Sequence, residues 1–140
     1  MSSEQTRVDT ADMSASPQSS PQAIALSVRL CASVDVNPPE DDLPYVNVWD
    51  AATEAVRRSA TDPESIRPIL DLAEATLEGA DPELRTLVAL GLFEDMQTNL
   101  FRGLGDGEAV LSLLGPRSRR VWSIVERRWS GDEAAFREDW

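Results

Sequence analysis

Histidine and lysine are missing from this 140-residue chain, cysteine and tyrosine occur once each, and phenylalanine occurs three times. Without histidine there can be no Ser-His-Asp triad, no Cys-His dyad, no HExxH zinc site and no imidazole base. The single cysteine, Cys31, cannot close an internal disulfide, which fits a reducing compartment. It reads as a packing residue or bystander rather than a nucleophile. No uninterrupted run of 18 apolar residues is present and no basic-plus-apolar leader opens the chain, so a soluble, cytoplasmic protein without membrane contact is expected. The absence of lysine makes all thirteen basic residues arginine, each a planar fork able to hold a carboxylate at two points.

Against those thirteen stand 25 acidic residues, for a net charge of -12. That balance disfavours bare nucleic acid and anionic lipid and suits a basic protein partner. The segment 117–128 is locally basic beside Trp122 and Trp129, but both tryptophans follow an apolar stripe, so an ion-paired helix face explains it better than base stacking. "DLPYVNVWD" and "GDGE" offer oxygens without the spacing of a calcium loop, and "GLGDGE" follows a helix and lacks a basic phosphate reader. No metal and no cofactor are expected. Carboxylate-only catalysis, as in a glycosidase, needs two acids facing each other across a substantial cleft, for which this chain has little room. The expectation is a protein that is not an enzyme, with a carboxylate-dependent hydrolase as the remote alternative.

Residues 1–22 are dominated by Ser, Gln, Pro and Thr and bury too little to offset their ordering entropy, so they read as a disordered tail. Residues 23–140 form one domain. In "AIALSVRLCASVDV", Ile24, Leu26, Val28, Leu30, Ala32, Val34 and Val36 alternate at period two, which predicts a long strand over 24–36. After the proline-rich acidic connection, "YVNVW" at 45–49 reads as a short second strand that would complete a β-hairpin over 24–49. From Asp50 the period becomes helical. "DPES" at 62 and "DPEL" at 81 each place an Asp before a Pro, a helix start, and Pro68 predicts a kink or restart in the first. Gly79 stops that helix and leaves a tight link to the next. "GLGDGEAVLSLLG" gives a turn and short helix, and Val121, Trp122, Val125 and Trp129 form the apolar stripe of a last long helix. The helical part runs over 50–130, with a short C-terminal segment at 131–140. The fold class expected is α+β: a strand or hairpin packed on four or five helices.

The stretch "LVALGLFEDMQTNLF", 87–101, is apolar around most of its circumference and belongs at the centre of the bundle. Gly91 in its interior implies that another element approaches closely there. Helical angles put Asp95 on the Gly91 face and Glu94 elsewhere, so the two acids do not share a face. A buried Asp95 requires a partner, and Arg117, Arg119 and Arg120, crowding the first turn of their helix, are the candidates for a structural ion pair. On that reading Asp95→Ala costs stability. The acidic residues Asp35, Glu40, Asp41, Asp42 and Asp50, in a stretch without a basic residue, form the candidate partner-binding surface.

"LRTLVALGLFEDMQTNL" together with "LLGPRSRRVWSIVERRW", roughly residues 80–130, resembles a group of small uncharacterised bacterial helical proteins, some of which are similar to immunity-type partners of polymorphic toxins. The resemblance implies a helical domain with 84–101 and 116–129 as diagnostic helices, and it carries over no catalytic residue. It does not extend to residues 1–50. The function expected is a non-enzymatic acidic protein-binding module, an immunity protein or adaptor covering a basic surface. The alternative is a subunit of a homo- or hetero-assembly joined through the edge of the 24–36 strand.

Overall fold

The computed structural model describes residues 19–40 and 42–140, so the expected tail lies outside the described residues except for its last four positions. Among the described residues there is no strand, and the α+β expectation is overturned: the domain is a helical bundle. The expected strand is helix α1, Pro21–Ala32. Ser20 caps it, its hydroxyl accepting from the Ala23 amide at 3.1 Å, and Pro21 occupies the first helical position. Ala23, Leu26, Ser27, Leu30 and Cys31 are buried, the three-and-four spacing of a helix face. The period-two series shares Leu26 and Leu30 with that stripe, and the small residues Ala23, Ser27 and Cys31, outside the series, complete it. Val28, which the strand would have buried, is 38% exposed. A helix also satisfies its backbone locally, where a lone strand needs a partner.

Residues 45–49 correct the second strand expectation in the same way. They lie in helix α2, Pro44–Ser59, where Pro44 opens the helix instead of breaking it. The inward face of α2 is built from Asn47, Val48, Ala51, Ala52, Ala55, Val56 and Ser59, small residues that let neighbouring helices come close. Asn47 ties the N-terminal region together. Its amide donates to the Ser27 hydroxyl (3.1 Å), its side-chain oxygen accepts from the Glu40 amide (3.0 Å), and its carbonyl accepts from the Cys31 thiol (3.2 Å). Burial, and secondarily Asp50, pushes that thiol up to about 11, which makes Cys31 an inert packing residue.

A 3₁₀ turn at Pro63–Ile66 precedes helix α3, Arg67–Glu78, so the restart expected at Pro68 is present. Asp81 caps helix α4, Pro82–Thr86, accepting from the Glu83 and Leu84 amides. The chain continues without a break through a π-helical stretch, Leu87–Phe93, into helix α5, Glu94–Phe101. This rod is the centre of the bundle: Leu87, Val88, Ala89, Leu92, Phe93 and Met96 are fully buried. Helix α6, Gly107–Leu113, is capped by Asp106, and helix α7, Pro116–Trp129, packs Trp122 edge-on against Phe93 with ring centroids 5.5 Å apart. Trp129 leaves the expected stripe and stands 61% exposed. A last 3₁₀ turn, Glu133–Arg137, brings Trp140 back onto the bundle. There the Trp140 ring stacks on the Arg128 guanidinium at 3.9 Å and its indole N–H donates to the Thr86 hydroxyl.

Candidate partner-binding face

The sequence places Gly91 at the middle of the rod, and a Cβ there would lie 3.3 Å from a Val48 methyl and 3.4 Å from the Tyr45 ring. The close approach expected of Gly91 is that of α2. Farther along, the Asn99 amide donates to the Thr53 hydroxyl at 3.1 Å. Tyr45 to Thr53 and Gly91 to Asn99 are the same eight-residue interval, so α2 and the rod run side by side in the same direction. Their shared outer edge carries Tyr45 and Trp49 from α2 and Glu94 and Asp95 from α5. Tyr45 and Trp49 are four residues apart and therefore neighbours on one helix face. Val46 and Asp50, one residue further on and turned away from that face, are exposed too, as are Asp42 and Leu43 just before α2.

Asp95 dominates the electrostatics of this edge. It is half-buried, its carboxylate accepts no hydrogen bond from any described residue, and no arginine of the described residues pairs with it. Burial, with Glu94 adding repulsion, pushes its carboxyl up to about 7. Burial raises Glu94 as well. The Tyr45 hydroxyl is raised by burial and then by the negative charges of Glu83, Asp95 and Glu94. Thus the two acids that helical angles separate still act on one another and on the same tyrosine. Both stand next to a ring rather than a cation.

The expected ion pair between Asp95 and Arg117, Arg119 or Arg120 is therefore absent among the described residues. Those arginines are made tolerable by a different acid. Glu74, reaching across from α3, accepts from the Ser118 amide (2.9 Å) and hydroxyl (2.8 Å) and from the Arg117 amide (3.2 Å). It caps α7 from outside, supplying the negative charge that the α7 first turn lacks. Burial alone would raise the Glu74 carboxyl, but the three hydrogen bonds outweigh it and leave it below the usual range. Arg119 turns back to the Leu114 carbonyl. Nothing in the local sequence of either segment signals the Glu74 contact.

The acidic 35–50 candidates are dispersed. Asp35 sits in left-handed backbone (φ 60°) and pairs with Arg58 at 3.1 Å. Glu40 is held by its backbone to Asn47, and Asp41 lies outside the described residues. Asp42 and Asp50 are exposed, on the segment that carries Tyr45 and Trp49, and Asp50 lies near enough to Cys31 to raise its thiol. Exposed aromatics on α2 were the missed signal: the strand reading hid the four-residue repeat of Tyr45 and Trp49.

No group of three or more metal-ligating side chains occurs among the described residues, and no helix there is long and apolar enough to cross a membrane. No protein-family model, curated protein or solved structure matches the chain.

Proposed function

We propose that this chain is a non-enzymatic protein-binding module, of the immunity-protein or adaptor kind, and that it receives a basic partner on the α2–α5 edge. The observation that carries this reading is Asp95. A half-buried carboxylate beside a second acid is destabilising, and a chain with thirteen arginines leaves it without a described cation. A partner's guanidinium or ammonium would supply what the fold withholds. Tyr45 and Trp49 offer the rigid aromatic area that concentrates binding energy, and Glu94, with the exposed acids Asp42 and Asp50 on the α2 segment, supplies negative charge that steers a cationic surface. Joining an assembly through a strand edge is withdrawn, because residues 21–32 are helix.

The test is capture of proteins from the native cell on the immobilised full chain, followed by measurement with the purified partner. The partner should be basic, Tyr45→Asp and Asp95→Arg should each weaken it by tenfold or more, worth about 1.4 kcal/mol, and both variants should keep their helical circular dichroism. Capture that survives both substitutions refutes the assignment. A raised carboxyl beside a second acid is also the pattern of a general acid, which keeps the hydrolase alternative in view. Cleavage of an oligosaccharide by the chain, lost in Asp95→Asn, would favour that alternative.

A further inference from the structure

A second surface lies at the other edge of the rod. The central rod and α7 touch where Phe93, at the end of the π-helical stretch, meets Trp122 and where the Gln97 amide of α5 donates to the Trp122 carbonyl at 3.0 Å. Toward their C-terminal ends they enclose a groove of about 640 Å³ lined by Leu100, Phe101, Leu111, Trp122, Glu126 and Trp129 among others. Phe101 stands on its margin 92% exposed and Trp129 61% exposed, with Leu111 about two-fifths exposed. Three large exposed apolar side chains gathered around one groove of a small acidic protein form the kind of patch that marks an interface.

We propose that this groove is the contact between two copies of the chain, related by a two-fold axis, with Phe101 of each copy seated in the groove of the other. Three features favour a second copy as the occupant. A projecting ring beside its own receptor groove is what an isologous contact requires, since each copy must present both halves of the same contact. Charge is self-complementary as well. Arg102 follows Phe101, and Glu126 lines the groove. Neither forms an ion pair among the described residues, and the two-fold brings Arg102 of one copy toward Glu126 of the other. This mixed-sign margin is where two molecules of charge -12 can meet with least repulsion. The area is adequate too. At these exposures the three side chains from both copies would remove on the order of 800 Å² from water, aromatics carrying about 150–250 Å² each. With a polar rim, that reaches the lower bound of a specific interface, about 1,200 Å².

The surface is separate from the α2–α5 edge, so the two proposals stand or fall independently. Sedimentation of the full chain over a wide concentration series should show a reversible monomer–dimer equilibrium. Phe101→Asp, at a site too exposed to disturb folding, should shift it to monomer with unchanged circular dichroism, while Tyr45→Asp should leave the dimer intact. Arg102→Glu and Glu126→Arg should each raise the dissociation constant several-fold, and the double exchange should restore it. Hydrogen exchange provides a reading without substitutions: protection of 97–101 and 122–130 should increase with concentration. A wild-type chain that is monomeric throughout, a dimer that persists in Phe101→Asp, or a double exchange that recovers nothing overturns the proposal.

Discussion

Asp95 is held by its surroundings in the protonated form more firmly than an unfolded chain would hold it. Its folded carboxyl titrates at about 7 against an ordinary value of 3.8, so the native state binds more protons between those limits. Stability contributed by protonated Asp95 is present at low pH and is lost as pH rises from about 4 to about 7. Asp95→Asn should therefore be close to neutral near pH 4 and should stabilise the chain near pH 8. The gain, discounted for the carboxylate's partial exposure, is about 1–2 kcal/mol. Thermal melts at the two pH values check it, and a loss of stability near pH 8 would restore a hidden cationic partner. This reverses the sign that the sequence suggests, in which the acid is an anchor. Binding a partner's cation should favour the ionised form, so association at this edge should strengthen with pH across the same window.

At the scale of the element, α1 and α7 each turn on one choice. A strand would place Val28 and Leu30 on one face, and the helix puts Leu30 fully inside and leaves Val28 at the surface. Leu30→Ala should cost about 2–5 kcal/mol and Val28→Ala less than about 1, whereas similar losses at both sites would return the strand. For α7, Glu74→Ala removes the acceptor of three hydrogen bonds and leaves the Ser118 amide unsatisfied where the side chain is buried. The cost expected from chemical denaturation is about 1–3 kcal/mol. Because the Glu74 carboxyl is lowered in the fold, its contribution is present above the usual carboxylate range and is lost as pH falls through its folded value. Glu74 and Asp95 thus act on stability in opposite directions along the pH axis.

At the scale of the whole molecule, charge sets the response to salt. The net charge of -12 repels itself in the compact state, and most ion pairs are exposed or partly exposed contacts such as Arg67–Glu64 and Arg57–Glu54. Such pairs are worth little each, while the summed repulsion is screened over about 10 Å at 0.1 M salt. Moderate sodium chloride should therefore raise the melting temperature. A steady fall with salt would mean that the ion pairs outweigh the repulsion. The same screening should slow association with a basic partner, so salt should act oppositely on folding and on binding.

The sequence by itself determined the local signals. The Asp-Pro opening at 81, the restart at Pro68, the stop at Gly79, the turn before α6 and the buried character of 87–96 act over a few residues through capping, fixed φ angles and apolar content. Gly91 also announced a close neighbour, since a bare glycine inside a helix is costly without one. Only the tertiary structure decided what depends on partners distant in the chain. The alternating residues of 24–36 fit either a strand or a helix until α2 supplied a small-residue surface and no second strand among the described residues supplied hydrogen bonds. The arginines of α7 could have paired with Asp95, yet the acid that packing brings to the first turn of α7 is Glu74, more than forty residues away, and it accepts from the amides there. Asp95 was then left facing outward beside Tyr45 and Glu94. Periodicity and caps report a residue's own helix, but a charge finds its energy only in what the packing of helices brings beside it.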